Sequence, residues 1–197
     1  MSPQPDERPL DGYEVLLCVS GGIACYKSAD LASRLVQAAA GLSVAMTDAA
    51  QQFVTPLTFQ AVSGRQVFTS LWQAGRAHST QHIDLTERAD LMIVAPATAN
   101  ILAKMAAGIA DELVSTLALS ANDACEILVA PAMNSRMWTA PATQANLARL
   151  GDWGVHTVGP GEGRLACGAV GPGRMAEPAE ILQAATELLL RKPPKRR

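Results

Sequence analysis

The stretch that decides the fold is residues 13–24, which read YEVLLCVSGGIA. The first seven residues are mostly apolar and predict a buried strand, and residues 20–22 form a turn of small residues. Apolar residues then recur at helical spacing from Ala24 to Ala38, and Gly41 is interpreted as the end of this helix. A strand, a glycine turn and a helix of this length form a βα unit, from which parallel sheets are built.

The same alternation continues along the chain. Strands are predicted at residues 42–46, 91–95, 127–130 and 155–158, and helices at 49–63, 100–107, 111–119, 141–150 and from Pro178 onwards. Residues 64–80 are predicted to be irregular. The predicted fold is therefore a single doubly wound α/β domain, with a mostly parallel sheet and helices on both faces. We expect this domain to span residues 13–190, between a disordered lead at 1–12 and a basic, disordered tail at 191–197.

Composition limits the classes of function. Hydrophobic residues make up 49% of the chain and charged residues only 17%, which predicts that some apolar surface is buried between copies in a homo-oligomer. No stretch is apolar enough for a membrane span, and Asp6 and Glu7 stand where a secretory signal would need positive charge, so we expect a cytoplasmic protein without a membrane partner. The four cysteines lack C-x-x-C spacing, so neither a disulfide framework nor a metal site is expected.

The charge distribution argues against nucleic acid as a partner. The formal net charge is −2, but five of the 16 Lys and Arg residues lie in the tail, which leaves 11 against 18 acidic residues in the rest. The tail has two interpretations at this stage. It could contact nucleic acid or acidic lipids, or it could be a solvated end that aids solubility.

Two segments carry candidate reactive groups. Asn134 follows the predicted strand at residues 127–130, at the edge where open α/β sheets hold their ligands. Cys167 lies in the glycine-rich stretch 163–175. One amide and one thiol on two separate loops predict a site for a small, polar substrate.

Two further loops are expected at the same edge of the sheet. Residues 20–24 could bind a mononucleotide phosphate or form a plain tight turn, and they lack the G-x-G-x-x-G pattern of a dinucleotide site. Residues 96–100 could accept a flat ring, or could reflect only a helix N-cap by Thr98. Together with residues 131–134, these loops predict a cofactor cleft.

His82 has a catalytic and a structural interpretation, because a lone histidine is often a packing or surface residue. No His-Glu-x-x-His zinc motif is present, and no glycine-rich loop carries the P-loop lysine. Hydrolase and kinase chemistry are therefore not indicated.

Several motifs in one order resemble the flavin-containing cysteine decarboxylases, a homo-oligomeric family, and within it the phosphopantothenoylcysteine decarboxylases. The motifs are residues 20–24, 82–85, 96–100, 108–111, 131–138, 166–168 and 173–175. The likeness covers residues 13–190. It implies a flavodoxin- or Rossmann-like flavoprotein that binds FMN, assembles as a trimer or a dodecamer of trimers, and holds the flavin near a subunit boundary.

The resemblance also implies the site residues. Catalysis would fall on His82, Asn134 and Cys167. FMN would contact Gly21, Gly22, Ile23, Thr47, Ala99, Asn100, Ile101, Leu102 and Met133. Asn134, Arg164, Ala166 and Met175 would bind substrate, the last three as a flap. Ile101 departs from the family, in which relatives often carry a hydroxyl residue there.

The implied reaction converts 4′-phosphopantothenoylcysteine to 4′-phosphopantetheine in coenzyme A biosynthesis, through thioaldehyde and enethiolate intermediates. Many relatives continue into a ligase domain, so we expect a separate ligase to supply the substrate. Two alternatives stay open: decarboxylation of the C-terminal cysteine of a peptide, and a flavin-binding regulatory subunit without catalysis. A flavin prenyltransferase shares the fold but lacks the segments around Asn134 and Cys167.

Overall fold

The computed structural model describes residues 8–72, 81–164, 168 and 170–195. The strands are β1 (Glu14–Val19), β2 (Gly41–Met46), β3 (Val67–Phe68), β4 (Leu91–Ala97), β5 (Glu126–Pro131), β6 (His156–Thr157), β7 (Gly161–Arg164) and β8 (Val170–Arg174). The helices are α1 (Cys25–Gln37), α2 (Pro56–Ser63), α3 (Gln81–Arg88), α4 (Ala99–Ala107), α5 (Leu113–Ser120), α6 (Ser135–Trp138), α7 (Pro141–Asp152) and α8 (Pro178–Leu189).

One parallel sheet forms the centre of the fold. Its strand order is β3-β2-β1-β4-β5-β6, and every neighbouring pair is parallel. One face packs against α1, α2 and α8 through residues such as Leu31, Phe59 and Ile181. The other face packs against α3, α4 and α5 through residues such as Leu85, Ile101 and Leu117. The predicted doubly wound α/β fold is confirmed.

The strand order places a topological switch point between β1 and β4. The chain leaves β1 towards β2 on one side, and leaves β4 towards β5 on the other. The loops that follow these two strands therefore diverge and open a crevice at the carboxyl-terminal edge of the sheet, which is where open α/β sheets bind ligands.

Gly41 does not end the first helix, as the sequence predicted, but begins β2. α1 ends at Gln37, and Ala39 has the positive φ of 69° that reverses the chain. Gly41 pairs with Glu14 on β1, and a Cβ atom there would lie 2.9 Å from the Arg65 guanidinium that bonds the Glu14 carboxylate. The glycine makes room for this ion pair.

Five elements escaped prediction, namely β3, α3, α6, β7 and β8. β3 lies in the segment expected to be irregular, and α3 follows it. β7 and β8 form a separate antiparallel pair whose sequences, GEGR and VGPGR, lack the alternating apolar pattern of ordinary strands. This hairpin (β7–β8) is held by contacts with the loop after β5, which local sequence does not show.

The two ends of the described chain pack onto the domain. Leu10, in the segment expected to be a disordered lead, is fully buried in the core. At the other end, the Tyr13 hydroxyl donates to the Lys192 carbonyl at 2.8 Å, and Lys195 Nζ donates to the Ala89 carbonyl at 2.6 Å. Residues 191–195, expected to be part of a disordered tail, therefore contact the amino-terminal edge of the sheet.

Within the described ranges, every helix is too short or too polar to cross a lipid bilayer.

Candidate active site

A cavity of about 1070 Å³ opens at the switch point. It is formed by the loops after β1, β2, β4 and β5 together with the end of β8. Of the residues that the sequence predicted for the site, those that line this cavity are Gly21, Gly22, Ile23, Thr47, Ala99, Asn100, Ile101, Met133, Asn134 and Met175. Four separate loops thus face one space, which is large enough for a cofactor and part of a substrate.

Ser20 joins the loop after β1 to the loop after β4. Its side chain is buried, and its hydroxyl donates to the Pro96 carbonyl at 2.7 Å while accepting the Thr98 N–H at 3.2 Å. In the first turn of α1, the buried Ser28 hydroxyl donates to the Ala95 carbonyl at 2.7 Å. These bonds fix the mutual position of the two loops that diverge at the switch point.

The two glycines after β1 have different roles. A Cβ atom at residue 21 would come within 2.7 Å of the Ala49 carbonyl carbon, so Gly21 is needed for the close approach of the loop after β2. A Cβ atom at Gly22 would meet only a Thr98 methyl group at 3.6 Å. The surface of Gly22 is therefore turned towards the cavity.

Thr98 caps α4, because its hydroxyl accepts the Ile101 N–H at 3.4 Å. The structural interpretation of Thr98 therefore applies, and Thr98 lines the cavity as well. In contrast, Ala24 at the N-cap of α1 provides no side-chain cap, and the first turn of α1 contains no acid. The cavity wall thus includes the capped start of α4 and the uncapped start of α1.

Asn134 is positioned as the N-cap of α6. Its Oδ1 accepts the Arg136 N–H at 2.9 Å, which fixes the plane of the amide. The preceding loop is tied to the sheet by the Ala132 N–H, which donates to the Ala97 carbonyl at 3.0 Å. The contact with Arg136 holds the amide of Asn134 in one orientation at the cavity wall.

The hairpin (β7–β8) docks on the Asn134 loop through two glycines. The Met133 N–H donates to the Gly173 carbonyl at 2.9 Å, and Gly173 has a φ of 130° with no space for a Cβ atom next to the Met133 carbonyl. Gly171 lies over Ser135, whose buried hydroxyl has no hydrogen-bond partner among the described residues. The hairpin therefore covers one side of the cavity.

The structure does not gather all predicted site residues around the cavity. Leu102 is fully buried in the core beneath α4. His82 lies half-buried in the first turn of α3 and is not among the residues that line this cavity. Ala166, Cys167 and the side chain of Arg164 lie outside the described residues.

Several cavity residues were missed by sequence reasoning. They are Tyr26, Lys27, Lys104, Glu112 and Arg174. The burial of Lys27 could have been predicted from the sequence, because Lys27 lies one helical turn before Leu31 on the apolar side of α1. A lysine on a buried helix face requires a polar partner, and such a partner is a reason to look for a nearby site.

The three described cysteines are poor nucleophiles. Burial raises the pKa of the Cys18 and Cys25 thiols, and it raises the pKa of the Cys125 thiol to about 11 from an ordinary 9.0. No group of three or more His, Cys, Asp or Glu side chains in the described part of the chain is placed to hold a metal ion.

We expect alkylation near neutral pH to leave Cys18, Cys25 and Cys125 unmodified in the folded protein. At Cys125, a pKa two units above normal reduces the reactive thiolate about 100-fold. Iodoacetamide treatment followed by peptide mass spectrometry checks this, with urea-unfolded protein as the control in which all three are labelled. Labelling of any of the three in the folded protein at the rate of a free cysteine would contradict the assignment.

A family model described as "Flavoprotein" matches residues 3–190. The coenzyme A biosynthesis bifunctional protein CoaBC of Vibrio vulnificus (strain YJ016) is 48% identical over 186 residues, which cover 94% of this chain and 46% of that protein. The chain therefore spans about half the length of the curated relatives it matches.

Two solved structures are similar over nearly the whole chain. A PPC decarboxylase, in a cysteine-to-serine mutant complexed with pantothenoylaminoethenethiol, superposes with a TM-score of 0.80 and 29% identity, covering 91% of this chain and 99% of that one. The FMN-dependent cysteine decarboxylase SpaF has a TM-score of 0.76 and 27% identity, covering 91% and 96%.

Proposed function

The chain belongs to the flavoprotein family, and we propose that it is the FMN-dependent enzyme that decarboxylates 4′-phosphopantothenoylcysteine to 4′-phosphopantetheine in coenzyme A biosynthesis. The observation that carries this proposal is the cavity in which the glycine loop after β1 and the amide of Asn134 face one space. The similarity to a coenzyme A biosynthesis protein and to a PPC decarboxylase supports this substrate. We assign FMN binding and decarboxylation to residues 13–190.

The residues around the cavity fit FMN. The uncapped start of α1 leaves backbone N–H groups and a positive dipole for the phosphate, beside the open surface of Gly22. A flat ring in the cavity would meet the small or apolar side chains of Ala99, Ile101 and Met133. The residues that would hold FMN are Gly21, Gly22, Ile23, Thr47, Ala99, Asn100, Ile101 and Met133, with Leu102 supporting α4 from the core.

FMN supplies a reversible two-electron oxidation of the CH2–SH group of the substrate, which gives the departing carboxylate an electron sink. Asn134 then orients the substrate by donating its amide N–H to the carboxylate. His82 orients or deprotonates the reacting thiol, and Cys167 donates the proton that the enethiolate takes up. We also assign substrate binding to Arg164, Ala166 and Met175.

The test of this function is turnover by the purified protein. We expect a flavin absorbance spectrum and the loss of one carbon dioxide from 4′-phosphopantothenoylcysteine, followed by mass spectrometry. A peptide ending in cysteine serves as the competing substrate, because SpaF is a cysteine decarboxylase of the same fold. Preferential turnover of the peptide would replace the proposed substrate, and a flavin-loaded protein with no turnover of either would indicate the regulatory alternative.

We propose that the cavity is completed by a second copy of the chain in a trimer, which could assemble further. Ile23, Tyr26 and Met137 line the cavity and are 62%, 61% and 49% exposed, which is costly for large apolar side chains in a monomer. His82, which does not line the cavity of its own chain, would then serve the cavity of a neighbouring copy.

Mixing two inactive variants tests this shared site. His82→Asn and Asn134→Asp proteins should each show only background turnover. If each site combines His82 from one copy with Asn134 from another, random mixed oligomers regain about a quarter of wild-type activity. Activity is measured after unfolding and refolding the two variants together, and separately refolded samples combined afterwards are the control. No recovery in mixed oligomers would place both residues in the same copy.

Cys167→Ser should separate the two halves of the reaction. We expect carbon dioxide release to continue while an enethiol product accumulates, because the proton donor for the last step is lost. The similar PPC decarboxylase with a cysteine replaced by serine is complexed with an aminoethenethiol, which supports this expectation. The products are identified by mass spectrometry beside wild type, and normal product at the wild-type rate would remove Cys167 from the mechanism.

We place the reaction in the cytoplasm. A ligase that joins cysteine to 4′-phosphopantothenate would supply the substrate, since the amide bond of the substrate has to be formed before decarboxylation.

A further inference from the structure

Arg174 and Lys27 share one carboxylate at the wall of the cavity. Glu177, at the N-cap of α8, accepts from Lys27 Nζ at 2.9 Å and from Arg174 Nη2 at 2.9 Å, and both donors contact the same oxygen, Oε1. Lys27 and Arg174 line the cavity, whereas Glu177 does not. The nearby Asp30 is paired with Arg34 at 3.1 Å.

Among the residues that the structure describes, this arrangement leaves one positive charge without an acid of its own. The Lys27 side chain is only 6% exposed and is also bonded to the Met175 carbonyl at 3.0 Å, so Lys27 must keep Glu177 as its counterion. The Lys27 ammonium, followed by Arg174, lowers the pKa of the Glu177 carboxyl, which is therefore ionised at neutral pH. One carboxylate cannot neutralise two cations, and Arg174 is the surplus one.

The Arg174 side chain is the part of this cluster that can move. It is 45% exposed, and its pair with Glu177 is a surface ion pair of the kind that contributes little to stability. Its backbone is held on both sides, by the bond between Gly173 and the Met133 N–H and by the bond between Met175 and Lys27. Lys104, the other cation of the cavity wall among the described residues, has Asp111 as its own partner at 2.7 Å.

From these contacts we infer that Arg174 is the residue that binds a phosphate monoester in the cavity, exchanging Glu177 for the phosphate. A guanidinium makes two parallel bonds to phosphate oxygens, and a doubly charged phosphate attracts it more strongly than one oxygen of a shared carboxylate. The inference rests on the proposed function, since 4′-phosphopantothenoylcysteine and FMN are the two phosphate monoesters that enter this cavity.

Four measurements on Arg174→Ala distinguish the two sources of phosphate. The first pair is kcat/KM of the holoenzyme for 4′-phosphopantothenoylcysteine and for the same compound without its phosphate. The second pair is the dissociation constant of FMN and of riboflavin, measured by fluorescence. In one of the two pairs, we expect the phosphorylated compound to lose roughly 10- to 100-fold in kcat/KM or in affinity. The unphosphorylated compound of that pair should change little. Arg174→Lys, which keeps the charge but loses the fork, should lie between wild type and Arg174→Ala.

Arg34→Ala is the matched control, because it removes an arginine from an exposed ion pair that does not line the cavity. The inference would be overturned if Arg174→Ala weakened the phosphorylated and unphosphorylated compounds equally in both pairs. It would also be overturned if neither kcat/KM nor affinity decreased in either pair. The proposed function fails in a different way, when the wild-type protein turns over neither substrate. In that event, the role of Arg174 is tested by the dissociation constants of FMN and riboflavin alone. An equal change in both constants would overturn it.

Discussion

Asn134→Asp should decrease kcat/KM for decarboxylation by about 10³-fold or more while leaving the fold and FMN binding intact. The substitution replaces a donor to the substrate carboxylate by a second carboxylate. At a separation of about 4 Å and an effective dielectric constant near 20, two like charges repel by about 4 kcal/mol, which corresponds to roughly a thousandfold. Steady-state kinetics and the flavin spectrum of the purified variant measure both parts of this expectation.

The cap at α6 makes this test specific. Aspartate caps a helix as well as asparagine, so the bond from the Arg136 N–H survives and any loss of activity comes from the site. Asn134→Ser is the second control, since it keeps a capping oxygen and removes the amide without adding charge. We expect Asn134→Ser to be less damaging than Asn134→Asp. Wild-type turnover by the aspartate variant would contradict the proposed role.

Gly173→Ala should cause the second large effect, in stability and activity together. A methyl group there would overlap the Met133 carbonyl, and a φ of 130° is strongly unfavourable for an L side chain. We expect about 3 kcal/mol of lost stability from strain and overpacking, and about a 10²-fold loss of turnover because the loop that carries Asn134 shifts. Thermal unfolding and kcat/KM measure these two effects.

Gly154→Ala separates backbone strain from the contact with the site. Gly154 also has a positive φ, of 84°, but a Cβ atom there would meet nothing within 4 Å. The Gly154→Ala substitution should therefore lower the free energy of unfolding by only about 1 kcal/mol and leave kcat/KM unchanged. If both alanine variants lose the same stability and keep full activity, the hairpin does not position Asn134.

Local patterns account for the parts of the fold that the sequence predicted. The strand that becomes β1 and the helix that becomes α1 each carry their own periodicity, and Pro178 marks the start of α8 correctly. β3 is only two residues long, and the hairpin (β7–β8) is rich in glycine, so neither has a periodic signal. Both depend on partners distant in the chain.

The site shows the same division. Glycine and amide motifs mark loops at strand ends, so Gly22 and Asn134 could be predicted to face a common cleft, and both line the cavity. Leu102 and Ile101 are adjacent in sequence and both are buried in the core, but helical geometry leaves only Ile101 bordering the cavity. The partnership of Lys27 with Glu177 spans 150 residues, and no local pattern reveals such a contact.

The bonds made by Ser20 and Ser28 have an evolutionary consequence. Both hydroxyls donate to main-chain carbonyls, at Pro96 and Ala95, and so the attachment does not depend on which side chains their partners carry. Ligand preference can therefore diverge at Ala99 and Asn100 while the frame that holds them persists. A library randomised at these two positions should retain mostly folded members with altered cofactor affinity, which makes this loop a natural place for new specificities to arise.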